Sequence, residues 1–257
     1  MNRKYIPQFV TTIAKGAAYR LYRFSDKVLK PPFDKYDFET FEVFKRVLKK
    51  DSNCIDVGAH KGDVLSKIIK NAPAGTHFAF EPIPYLFDRL KKIFKNRVAL
   101  YNYALSDAEG EATFTVYKNR PAVSGLKDTM FDDKEYKKET ITVQVKKLDD
   151  MIPADMPVSL LKIDVEGAEL QVLKGASKLI ESYKPVVLFE FGWAGSRFYD
   201  VTPEEMFDFF TERGMLLSSL EYFLSKKPAL DKSDFCSHFH KGYNYFFIAY
   251  DEAKHVA

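Results

Sequence analysis

The chain has 257 residues, 46% apolar and 29% charged, a balance that excludes wholesale disorder, a collagen and a polytopic membrane protein. The net charge of +3 hides an asymmetry: residues 1–32 hold seven basic residues and one acid, so the remainder carries −3. The body is therefore not a nucleic-acid-binding domain by charge, and the only basic zone is a short N-terminal arm.

In chain order, Ile6, Phe9, Val10, Ile13, Ala17, Leu21, Phe24 and Val28 recur at three- and four-residue steps, which predicts an amphipathic helix with basic residues beside its apolar face. Lys15 and Arg20 break the apolar stretch, so neither a secretory signal nor a spanning helix is expected. Lys30-Pro31-Pro32 ends the arm. It leaves three readings: a cap packed on the body, a peripheral contact of residues 1–32 with the inner face of an anionic membrane, and a homo-oligomer contact. The expected division is an arm over 1–35 and one domain over 36–257.

A second helix is expected over 38–49. From residue 53, apolar strands alternate with helices. Strands are expected at 54–57, 77–80, 98–103, 113–117, 140–146, 159–163 and 186–189, with helices to about 70 and over 85–94 and 168–182. Thr202 followed by Glu205 marks a capping box. Two aromatic strands, 216–224 and 243–250, close the chain as an edge hairpin. This alternation implies a parallel sheet covered on both faces. The polar stretch 118–139, including Ser124-Gly125, is read as a loop, either a lid over substrate, the preferred reading, or a disordered insertion.

Ligands of open α/β sheets bind outside the carboxyl ends of the strands, and acids gather there. The first signal is Asp56-Val57-Gly58-Ala59-His60-Lys61-Gly62. Its glycines permit a tight turn and a close backbone approach to a ligand. Asp56 would repel a dinucleotide pyrophosphate but suits a nucleoside bearing an amino acid. Glu81 ends the next strand, where a carboxylate can accept both ribose hydroxyls. This pair by itself fits NAD and S-adenosylmethionine equally. The third signal is Lys162-Ile163-Asp164-Val165-Glu166-Gly167-Ala168-Glu169, whose crowded carboxylates require a cation, a metal or a shared proton. Glu166 and Glu169 also suit a helix N-terminus. Glu190 ends the following strand and would point into the same crevice.

Cys54 and Cys236 lack a CxxC partner and the five histidines form no ligand cluster, so no metal site is assigned and reduced thiols in the cytoplasm are expected. His238 and His240 are placed in a polar loop.

These segments resemble the FkbM-type family of S-adenosylmethionine-dependent methyltransferases. Ile55 to Gly62 is similar to its cofactor loop, Phe80-Glu81-Pro82 to its ribose-binding strand end, and Asn102-Tyr103-Ala104-Leu105-Ser106-Asp107 to its adenine-side segment. Lys146 to Asp149 resembles a short Thr-Leu-Asp signature, with Lys147 where Thr is usual. The block from Leu161 through Ala176 is the most specific, and Leu188-Phe189-Glu190 resembles the following strand. Phe191-Gly192-Trp193 stands where the family often has a His.

The resemblance spans about residues 50–192. It implies an α/β, Rossmann-like class I methyltransferase fold: a seven-stranded, mostly parallel sheet of order 3-2-1-4-5-7-6 with an antiparallel last strand. It implies S-adenosylmethionine as cofactor, held by Asp56, Gly58, His60, Gly62, Glu81, Ala104, Leu105, Ser106, Asp107 and Asp164. It also implies O-methylation of a sugar, glycan or natural-product-like acceptor. An alcohol needs a general base. Asp164 is the first choice, with Glu166, Glu190 and His60 as alternatives. A divalent ion held by Asp164 with Glu166 or Asp149 stays open as a less favoured route. The competing functions are a cofactor-binding protein without catalysis and a nucleotide-sugar or NAD-dependent oxidoreductase. The latter is disfavoured by Asp56 and the absence of GxGxxG.

Overall fold

Short apolar runs bounded by glycine and acids become the strands of a seven-stranded sheet in a computed structural model that describes residues 35–129 and 137–255. The arm over 1–32, with its cap, membrane and oligomer readings, lies outside the described residues. Among these residues, no helix is long and apolar enough to cross a membrane. The chain divides into residues 1–38 and 39–257.

Helix α1 (Lys35–Val47) buries Thr40, Val43 and Phe44. Strand β1 (Cys54–Val57) leads into α2 (Asp63–Asn71), β2 (His77–Phe80) into α3 (Pro84–Phe94), and β3 (Ala99–Tyr101) follows. Further on come β7 (Leu160–Ile163), α4 (Glu169–Lys174), α5 (Ser177–Tyr183), β8 (Val186–Glu190), α6 (Trp193–Ser196) and α7 (Pro203–Thr211). The chain closes with β9 (Leu216–Ser219), α8 (Leu220–Leu224), α9 (Lys232–Lys241), β10 (Phe246–Tyr250) and α10 (Glu252–His255). The sheet order is β3-β2-β1-β7-β8-β10-β9, and only β10 runs against its neighbours. This is the order and the antiparallel last strand that the resemblance implied.

Successive residues face opposite sides of the sheet. Phe78 and Phe80 join the large core with Ile55, Leu161 and Phe189, whereas Ala79 joins Leu65, Leu90 and Phe94 on the other face. Thr202 opens α7 with the expected capping box: its hydroxyl accepts from the Glu205 N–H, and the Glu205 carboxylate accepts from the Thr202 N–H.

Tertiary contacts overrode several local expectations. The strand expected over 98–103 stops at Tyr101. The Asn102 side chain donates to the carbonyls of Glu81 and Pro82, and the chain turns out of the main sheet. Strand β4 (Ala104–Leu105) then pairs with β6 (Lys138–Lys146), which also pairs with β5 (Gly110–Tyr117), as a separate three-stranded sheet. That sheet packs Phe114, Val116, Val143 and Val145 on Ile83 and Leu86.

The helix expected over 168–182 breaks at Gly175-Ala176. A Cβ on Gly175 would lie 2.1 Å from the Ser106 carbonyl oxygen, and Asp149 accepts the N–H groups of Lys178 and Leu179 at the start of α5. The 216–224 strand ends at Ser219, whose hydroxyl accepts from the Tyr222 N–H and starts α8. Two helices therefore separate β9 from β10 in sequence, yet the two strands pair antiparallel at the sheet edge as expected, joined by a longer connection than a hairpin turn. His238 and His240 sit on α9, capped by Asp231 and ended by Gly242 at φ 65°, rather than in a loop.

Candidate active site

The exits of β1 and β7 meet backbone to backbone. Gly58 has φ 76°, and a Cβ built on it would lie 1.9 Å from the Asp164 carbonyl oxygen. Any side chain there clashes with main chain, and an L residue is strained at that φ. The N–H groups of Gly58 and Ala59 both donate to the Phe80 carbonyl, which joins this loop to the end of β2. Gly62 serves another purpose. It sits at the start of α2 with φ 86°, against Leu90 and Phe94, so it lets α2 and α3 approach.

A cavity opens over these strand ends. Ile83, Phe114 and Leu126 contribute apolar surface, and Glu81, His60 and the acids of β7 and β8 contribute polar groups. Of the expected residues, Gly58, His60, Glu81, Ala104, Leu105, Asp164, Glu166 and Glu190 line it together. Asp56, Gly62, Ser106 and Asp107 are not among the lining residues. Ser106 bonds instead to the Lys146 carbonyl through its N–H and to Asp107 through its hydroxyl. Pro121, Ala122, Ser124 and Leu126 place the start of the 118–139 stretch on the cavity wall. Gly125 pairs with Thr115, and the Ser124 hydroxyl accepts from the Tyr117 N–H, so this part is anchored. His238 and His240 do not line the cavity.

Glu81 is nearly buried, and each of its oxygens accepts a backbone N–H, one from Ile83 and one from His60. Burial pushes its carboxyl up to about 7, against the pull of those two bonds. The imidazole of His60 is pushed down by burial and by the neighbouring Lys61 charge, so it favours the neutral form. Its Nε2 is buried with no hydrogen-bond partner among the described residues.

Carboxylate oxygens of Asp164, Glu166 and Glu190 all come within 4.8 Å of one another. Glu166 reaches this cluster from a left-handed backbone, φ 60°. Burial and the nearby Asp164 charge push the carboxyls of Glu166 and Glu190 well up, which favours protons on these two groups. A hard divalent cation takes six to eight oxygens. Here the neighbouring side chains add an ammonium, Lys162, and an imidazole, His60. Asp149, the other proposed ion ligand, is engaged at the start of α5. Glu169 stays out of the cavity lining. Its Oε1 accepts from the N–H groups of Val165 and Gly167 and closes the turn.

Asp56 is fully buried beside Lys162, its direct cross-strand partner. The expectation that Asp56 faces a ligand therefore meets an intervening lysine. Lys162 opens the third sequence signal, which by itself gives the lysine no role. Its signal was a charge inside the apolar run Leu160-Leu161-Lys162-Ile163.

Residues 56–217 match the family described as the methyltransferase FkbM domain. Methyltransferase sdnD of Sordaria araneosa is 30% identical over 155 residues, 48% of this chain and 60% of that protein. Hexuronic acid methyltransferase AglP of Haloferax volcanii is 30% identical over 145 residues, 51% of this chain and 56% of that protein. The chain thus spans little more than half the length of these relatives. A crystal structure of a methyltransferase FkbM from Methylobacillus flagellatus aligns with TM-score 0.47 and 18% identity, over 79% of this chain and 44% of that one.

Proposed function

Because this chain belongs to the FkbM methyltransferase domain family, we propose that it transfers the methyl group of S-adenosylmethionine to a hydroxyl of a sugar, glycan or natural-product-like small molecule. The observation that carries this reading is the shared cavity, in which the strand-end acid Glu81 faces the same space as the cluster of Asp164, Glu166 and Glu190. AglP, named for a hexuronic acid, supports a sugar acceptor.

The residues fit the cofactor in kind. Glu81 can accept ribose hydroxyls on its remaining lone pairs. Ile83, Ala104, Leu105 and Phe114 offer apolar surface to a purine, and the acids suit a sulfonium cation. When bound, S-adenosylmethionine supplies an electrophilic methyl group whose C–S bond breaks as the C–O bond forms, leaving a neutral thioether.

Asp164 takes the hydroxyl proton: its carboxylate lines the cavity, and Lys162 Nζ stands 3.5 Å from its Oδ2 and orients it. Glu166 and Glu190 hold protons and can donate hydrogen bonds to a polyhydroxyl acceptor. The anchored 121–126 segment walls the cavity against water, and residues 130–136 of the expected lid lie outside the described residues.

Thermal melts provide the first test. S-adenosylhomocysteine should raise the melting temperature and NAD should not; no shift at saturating S-adenosylhomocysteine sinks the reading. Mass spectrometry of glycans and small metabolites from cells with and without the protein then seeks the missing methyl group. With the acceptor in hand, Asp164→Asn should slow turnover far more than it weakens S-adenosylhomocysteine binding. Equal losses would remove Asp164 as the base.

A further inference from the structure

A lysine ammonium within a sheet needs oxygen partners, and those of Lys162 come from two segments. Lys162 is 3% exposed. Its Nζ lies 3.3 Å from Asp56 Oδ1 and 3.5 Å from Asp164 Oδ2. It also donates to the Gly58 carbonyl at 2.9 Å and, more weakly, to the Val57 carbonyl at 3.4 Å. Asp56, Val57 and Gly58 belong to β1 and its loop, whereas Asp164 belongs to the exit of β7.

Asp56 alone would neutralise the ammonium. The contacts that reach beyond Asp56 go to Val57, Gly58 and Asp164, and all three line the cavity. The two segments are already tightly apposed, since the Asp164 N–H donates to the Val57 carbonyl and Gly58 leaves no room for a Cβ. Burial pulls the ammonium toward neutrality, but Asp56 and Asp164 more than offset that pull, so the charge is retained. Glu81, His60 and Glu166 also lie within its field.

We propose that Lys162 is a positioning residue, whose ammonium clamps the Gly58 loop and the Asp164 carboxylate into one rigid cofactor-facing unit. It rests on the S-adenosylmethionine reading above. The clamp also selects Asp164, among three crowded carboxylates, as the one that pairs with the cation.

The test uses the full chain with S-adenosylhomocysteine as the probe. Lys162→Met leaves Asp56 as an uncompensated buried acid and should lower the melting temperature sharply. The double variant D56N/K162M removes both charges, and replacing a buried pair in this way is often neutral for folding. It should melt within about 5 °C of wild type and bind S-adenosylhomocysteine at least about tenfold more weakly by calorimetry. Amide hydrogens of both 56–62 and 162–169 should exchange faster in it. The same exchange reading on K162M, taken well below its melting temperature, provides a second measurement. A merely structural pair predicts that the double variant recovers affinity together with stability. Affinity within about threefold of wild type, or faster exchange in only one of the two segments, overturns the proposal. Failure of the wild-type chain to bind S-adenosylhomocysteine overturns the cofactor reading beneath it, a result the variants cannot imitate.

Discussion

The carboxylate of Glu81 accepts a hydrogen bond of 2.8 Å from the backbone N–H of His60. This bond ties the acid at the end of β2 to the loop that follows β1, across a sheet interface made by Gly58, Ala59 and Phe80. A side chain and a turn 21 residues apart in sequence thereby form one surface.

The first prediction concerns pH. Burial holds the Glu81 carboxyl at about 7, and ribose hydroxyls donate better to its ionised form. S-adenosylhomocysteine should bind about tenfold more weakly per pH unit below that value and level off above it. Calorimetry in buffers of different ionisation enthalpy should show proton release on binding near pH 6. Glu81→Gln should weaken binding and flatten the profile; an unchanged slope would remove Glu81 from the cofactor site.

Gly58→Ala should be among the most damaging single changes. The new Cβ would meet the Asp164 carbonyl at 1.9 Å from a left-handed backbone. Overpacking and strain together should destabilise the chain by about 3 kcal/mol or more. Chemical denaturation reads this loss. A cost below about 1 kcal/mol would mean that β1 and β7 separate easily at their exits.

Glu169 carries a stability cost that depends on pH. Burial raises its carboxyl from 4.5 to about 7. A raised value means that the native state holds the proton more tightly. The favourable contribution is thus complete below about pH 4 and lost as pH rises toward 7. Glu169→Gln keeps a side-chain oxygen for Val165 and Gly167 and removes that penalty. It should stabilise the chain at pH 8 by up to about 3 kcal/mol and leave pH 4 nearly unchanged. Urea titrations at the two pH values check the difference, and equal effects at both would refute it.

Thr202→Ala offers a contrast far from the cavity. It removes the side-chain half of the capping box of α7 and should cost about 1 kcal/mol. S-adenosylhomocysteine affinity should stay unchanged by calorimetry. A loss of affinity would reveal coupling between α7 and the site.

Much of the β-sheet was legible because its strands are short apolar runs that end in glycine or an acid. Cys54–Val57 and His77–Phe80 came out at their full bounds. The acids at the strand ends could be named from sequence because ligands of open α/β sheets bind outside the carboxyl ends of the strands, which singles out the residues placed there. What local reading lost were the places where a distant group wins. Asn102 turned a strand out of the sheet, Asp149 started a new helix after Gly175, and Ser219 began a helix inside an apolar run of ambiguous period.

The sequence by itself determined the order of the α/β elements, the acids at the strand exits and the family resemblance, because each is written in local pattern and spacing. Only the tertiary structure decided which acids share a space. Asp164, Glu166 and Glu190 converge, Glu169 closes a turn, Asp149 caps a helix, and Asp56 lies behind Lys162. Convergence depends on strand register and burial, which are set by packing among residues far apart in the chain. The +3 net charge of the chain likewise says nothing of the buried ammonium that lies between Asp56 and Asp164.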